Sequence, residues 1–282
     1  MHIGTHTPHT VQDVVRPPLQ SVFGTAVPEL WLLALMIPLA VIVWGCDELP
    51  QMGASDSKRS ATPMKHQPMK RWLARWIAVV TAGEAVGFAV PAAIGVLTRD
   101  SASAFPLLLV AGAVEGAILG LSQATVLHGQ LPYLSKRRWV VLTAAAAMSA
   151  YAIGLLPSTL AAWWTSWPLI VQVLFFGAGP VVLLISIGLA QWLELRHHLS
   201  GATWWIPATA LSWLVGLAVF FAVAPPLWHP DQSPALAVTI GLVAGVGMAF
   251  AMAAVTGWAM TVLLRRQTSS VSRAAESRQG RP

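Results

Sequence analysis

Residues 105–127, FPLLLVAGAVEGAILGLSQATVL, form an unbroken apolar run with a single ionisable side chain, Glu115, near its middle. A helix crosses the hydrocarbon core of a bilayer with about 20 mainly apolar residues, so the run is long enough to span it. An ionisable group at that depth is costly and marks a functional site by default. Gly112, Gly116 and Gly120 recur at every fourth position and therefore lie along one helix face, which Gln123 shares. Small residues on such a face let a second helix backbone approach closely, and an amide there can hydrogen-bond across the contact.

The rest of the chain has the same character. Only 10% of the residues are charged, against about 25% in a typical soluble domain. Apolar spans are predicted at 28–45, 72–97, 105–127, 139–160, 168–193, 204–226 and 235–264. The expected fold is all-α, a polytopic bundle of seven transmembrane helices. Residues 1–27 read as an extracytoplasmic tail, 28–45 as the first transmembrane helix and 46–71 as a cytoplasmic polar loop. Residues 72–264 read as a six-helix bundle and 265–282 as a disordered cytoplasmic tail. The alternative for 28–45 is a secretory or lipoprotein signal ending at Cys46. It lacks a basic leading segment and has Trp44 where a small residue is expected.

Charge sets the expected orientation. Of the 17 Lys and Arg, only Arg16 and Arg99 fall in segments read as outside, and the loops at 161–167 and 227–234 hold none. Basic residues gather in cytoplasmic loops, which places the N-terminus outside and the C-terminus inside. Trp72, Trp76, Trp139, Trp163, Trp164, Trp167, Trp204, Trp205 and Trp228 flank the apolar runs, where an interfacial aromatic belt is expected.

A repeat runs through the last six spans. Gly120-Leu121-Ser122-Gln123, then Leu127, matches Gly188-Leu189-Ala190-Gln191, then Leu195. Each is followed by a polar loop, a Trp and a Thr-Ala pair, Thr143-Ala144 and Thr209-Ala210. The span at 72–97 echoes the second half with Trp76 and Thr81-Ala82, and the final span echoes the first with Thr256-Gly257-Trp258. The reading is one extra helix followed by three two-helix units about an axis along the membrane normal. The G-x-x-Q-x-x-x-L pattern, the following Trp and the Gly-rich final helix resemble uncharacterised bacterial multi-pass membrane proteins over about residues 72–264. That resemblance implies location in the cell membrane and a multi-pass architecture, and carries no activity.

Glu84, in TAGEAVGFAVP, and Glu115 are the sharpest candidates for chemistry. A short loop joins their spans, so the two helices are expected to be neighbours with both carboxyl groups at similar depth, facing each other or a shared cavity. Pro91 frees the carbonyl of Gly87, on the face of Glu84, and a carboxylate beside it suits a proton or a small cation. The alternative is that both carboxyls are packing glue between helices. Gln123 and Gln191 are candidate members of the same polar network, or interhelical anchors. Gly83, Gly87, Gly112, Gly116, Gly120, Gly241 and Gly245 are candidate helix-packing positions.

Other chemistries lack their residues. No Lys lies in a span for a Schiff base, and no H-E-x-x-H, P-loop or in-span Ser/His pair is present. No catalytic residue, metal site or cofactor is expected. His128, His197 and His198, with Glu194 and Arg196, read as a wet interfacial loop, and His2, His6 and His9 as part of a solvated tail. The expected partners are the lipid bilayer and a second protein or a second copy docked through the glycine faces; no basic, aromatic-interleaved face points to nucleic acid. Two function classes remain. One is a small permease or ion- or proton-coupled transporter using the midplane carboxylates, which predicts a polar cavity. The other is a non-catalytic scaffold or assembly subunit, which predicts a dry bundle with an exposed small-residue groove.

Overall fold

The structure, a computed structural model, describes residues 69–98, 101–229 and 231–279, all of them helix or connecting turn. The span expected at 28–45, the segments on either side of it, the three N-terminal His and Cys46 lie outside the described residues. The helices are α1 (Met69–Thr98), α2 (Ala104–Leu127), α3 (Lys136–Thr159), the short α4 (Ala161–Trp164), α5 (Leu169–Leu195), α6 (Trp205–Leu227) and α7 (Pro234–Gln279). A 3₁₀ turn, Ala202–Trp204, precedes α6. Among the described residues, six helices are long and apolar enough to cross a membrane. Their outward faces are covered with apolar side chains, Leu97, Leu169 and Val238 among the most exposed, as in a membrane-embedded protein.

The six long helices close into a ring. Each packs on its neighbours in the chain, and α7 returns to pack on α1. Successive helices run antiparallel: Gly83 of α1 lies against Ser122 and Gly87 against Glu115, while Gly112, Gly116 and Gly120 of α2 meet Tyr151, Ala147 and Thr143 of α3. At the seam, Gly257 of α7 lies against Trp76 of α1 and Gly245 against Phe88.

The ring is tightest at the end that carries the basic residues. The largest cluster of buried side chains is there, including Trp72, Trp76, Leu127, Trp139, Leu195, Trp205 and Met260. Glu194 ties two loops together at this end. One of its oxygens accepts from the Ser135 backbone N–H at 2.9 Å and lies 3.1 Å from His198 Nε2, and the other is 3.4 Å from Arg138 Nε. Ser135 in turn caps α3, accepting from the Arg138 N–H, which satisfies one of the free donors of a helix start. Gly201, at φ 74°, turns the chain into the 3₁₀ segment, a backbone angle that costs glycine little.

Two expectations change. The tail beyond Arg266 was expected without regular structure, yet α7 continues as helix to Gln279. Extending a formed helix needs no new nucleation, and the tail supplies Ala, Glu, Gln and Arg, good helix formers. The aromatic belt divides: Trp163, Trp204 and Trp228 are exposed, but Trp72, Trp76, Trp139 and Trp205 are fully buried. Hydropathy locates a Trp along a helix without showing which way it faces, and these four face inward.

Candidate functional site

Three of the inward Trp build the floor of the site. Trp139 Nε1 donates to Gln123 Oε1 at 3.2 Å, Trp205 Nε1 to Gln191 Oε1 at 2.8 Å, and Trp76 Nε1 to Thr256 Oγ1 at 3.3 Å. Each bond joins α3, α6 or α1 to the helix before it in the ring, α2, α5 or α7. An indole N–H can only donate, so it fixes which way each amide points. Gln191 Nε2 then donates to Gln123 Oε1 at 2.7 Å and to Thr143 Oγ1 at 3.0 Å, joining two of the three pairs. Trp205 packs edge-on to Trp76 and tilted against Trp139, with ring centroids 6.4 and 6.3 Å apart.

The same geometry recurs around these bonds. Leu127, Leu195 and Met260, each four residues beyond the bonded Gln, Gln or Thr, are fully buried. Thr143 and Thr209, four residues beyond their Trp, donate to that Trp's carbonyl and sit against Gly120 and Gly188. In the α7–α1 pair the corresponding positions are Val80 and Ala253, both buried.

Above this floor the helices line a half-open cavity of about 360 Å³. Its lining follows the same threefold spacing. Glu84, Ala147 and Trp213 lie eight residues beyond Trp76, Trp139 and Trp205; Glu115, Leu183 and Met248 lie eight residues before Gln123, Gln191 and Thr256. Eight residues of helix are about 12 Å, so the two carboxyl groups share one level well above the Trp layer. A second void of about 10 Å³ lies below Glu84, lined by Gln123, Thr209, Ser212 and Thr256 among others.

The two carboxyls are held differently. Glu115 Oε2 accepts from the Tyr151 hydroxyl at 2.7 Å, and a Cβ added at Gly87 would stand 3.3 Å from Glu115 Cγ, so α1 abuts this side chain directly. Glu84 is 4% exposed, and its Oε2 has no hydrogen-bond partner among the described residues. A buried polar atom without a partner is costly and uncommon in native proteins. Most of the remaining wall is apolar or aromatic: Phe88, Trp213, Leu217, Phe220, Phe221 and Met248. Phe88, Tyr151 and Leu217 stand at equivalent places, twelve residues beyond the three Trp of the floor.

The remaining candidates are placed as follows. Gly83, Gly87, Gly112, Gly116 and Gly120 all sit at close interhelical contacts inside the chain, whereas Gly241 and Gly245 have ordinary van der Waals spacing to Trp228 and Phe88. His128 is exposed, and His198 pairs with Glu194. His197 is held below the usual imidazole range, because partial burial disfavours its charged form and the Arg196 and Arg138 guanidinium groups repel it.

Tyr151 and Trp213 were not singled out from sequence. Tyr151 carried a usable signal: it is one of only two Tyr in the chain and falls inside an apolar span, where a hydroxyl needs a partner. Trp213 carried none, since an aromatic in an apolar span is ordinarily core or lipid-facing. Comparison of the chain with protein-family models, curated protein sequences and solved structures finds no match.

Proposed function

We propose that this protein is a small permease, an ion- or proton-coupled transporter of the cell membrane, working through Glu84 and Glu115 without catalysing a covalent reaction. The observation that carries the reading is the pair of buried carboxyl groups on one cavity lined by the helix ring, one of them with an oxygen that has no hydrogen-bond donor among the described residues. Ionisable groups inside a membrane bundle characteristically face such cavities and mark proton or ion paths. The Trp and Gln floor closes the cavity toward the basic loops. The basic-residue pattern makes that the cytoplasmic side, with the N-terminus outside and a seventh span at 28–45.

The scaffold reading has less support. It relied on glycine faces as docking surfaces, and five of the seven glycines are already occupied by contacts within the chain.

The test is proton flux into proteoliposomes containing the purified full chain, read with a trapped pH-sensitive dye under an imposed gradient. The parent should carry protons faster than empty liposomes. Glu84→Gln, which keeps hydrogen-bonding capacity but cannot ionise, should abolish the excess flux while leaving the melting temperature within a few degrees. A parent no faster than empty liposomes, or an active Glu84→Gln protein, overturns the proposal.

A further inference from the structure

We propose that the cavity takes a compact lipophilic cation, an amine or quaternary ammonium carrying an apolar or aromatic body, with its charge at Glu84 and its body against Phe88, Trp213 and Phe220. The inference rests on the permease reading and names its substrate class.

The cavity volume of about 360 Å³ lies within the range of small-molecule sites, which span about 300–1,000 Å³ and combine apolar walls with a few placed polar groups. A hydrated metal ion suits it poorly. Calcium takes about six to eight oxygen ligands and magnesium about six, whereas among the described residues the ionisable oxygens lining the cavity come from Glu84, Glu115 and Tyr151. An anion suits it worse, because two carboxyl groups face it and no Lys, Arg or His is among the described lining residues. A cation with an apolar body answers both halves of the wall. The body displaces water that apolar residues hold poorly, and the charge meets the carboxyl oxygen that lacks a partner among the described residues. Aromatic faces add cation–π attraction, strongest for Trp and for a desolvated cation. Glu115 is already engaged by Tyr151, which leaves Glu84 as the primary counter-charge.

The experiment is calorimetric titration of the full chain in a non-ionic detergent with three probes of similar size: benzyltrimethylammonium, neutral benzyldimethylcarbinol and anionic phenylacetate. The cation is expected to bind at least tenfold more tightly than either of the others. Glu84→Gln should weaken the cation at least tenfold and leave the carbinol unchanged, while Asp231→Asn, in an exposed loop, should change neither. Equal binding of cation and carbinol, or no binding of the cation, overturns the proposal. The comparison between probes needs no variant, so it stands even if Glu84→Gln fails to fold. Proton flux separates the two readings. If flux is lost in Glu84→Gln but the cation does not bind, the substrate class is wrong and the permease reading survives. If the cation binds through Glu84 but the parent shows no flux, the site is real and the permease reading falls.

Discussion

Gln191 donates to Gln123 across the core of the bundle at 2.7 Å, and each amide oxygen also accepts an indole N–H, from Trp205 and Trp139. Two amides, two indoles and the Thr143 hydroxyl thus form one connected network that is almost wholly buried. A buried network of this kind favours one arrangement of its members, because a slip breaks bonds that several members share.

That network predicts unequal losses. Gln191→Leu removes three hydrogen bonds and strands the Trp205 N–H, whereas Gln123→Leu removes two. Each should lower stability in detergent by about 1–3 kcal/mol, Gln191→Leu by more. The double variant should lose less than the sum of the two, with a coupling of about 0.5 kcal/mol or more. Thermal melting of the four proteins measures this. Strict additivity would mean that the amides do not act on each other.

Two glycines should respond to alanine with opposite sign. A Cβ at Gly116 would stand 2.8 Å from the Thr143 carbonyl oxygen, while nothing lies within 4 Å of one at Gly177. Gly177→Ala should stabilise the protein by up to about 1 kcal/mol through helix propensity. Gly116→Ala should destabilise it by about 1–3 kcal/mol through overpacking. Melting temperatures that rise for both variants would place the Gly116 face away from α3.

Orientation can be read chemically. With Cys46→Ser as background, Tyr133→Cys and Ser166→Cys place single thiols at exposed positions on opposite ends of the ring. A membrane-impermeant maleimide should label the thiol at 166 in intact cells, and the thiol at 133 only after permeabilisation. Equal labelling of both in intact cells would reject the assigned topology.

The sequence and the structure agree where a pattern depends on spacing alone. The six described spans are long apolar stretches, and helix length is fixed by membrane thickness more than by neighbours. The two Gly-x-x-Gln motifs were visible because glycine and glutamine are conspicuous in apolar helices, and both sit at equivalent contacts. The third equivalent contact was harder to see, because Thr256 replaces the amide and its partner Trp76 lies 180 residues away. The buried Trp stand at a distance from the charged loops that also suits a belt, and their inward direction depends on the closure of the ring. The cavity was expected to be polar from its two carboxyls. Its mostly apolar wall comes from α3, α5, α6 and α7, whose side chains converge only once those helices are packed.

The seam between α7 and α1 has a consequence for biosynthesis. Chains are made and fold from the N-terminus onward, so α1 is the first described helix to leave the ribosome, and its Trp76 must wait for Thr256 on the last. Until α7 arrives, the face of α1 that carries Trp76 lacks its Thr256 partner. A chain truncated ahead of α7 never passes this checkpoint: its indole donor stays unmatched and the carboxyl-lined chamber stays breached along one side. Closure of the seam thus requires that the first and the last of the described helices have both been made.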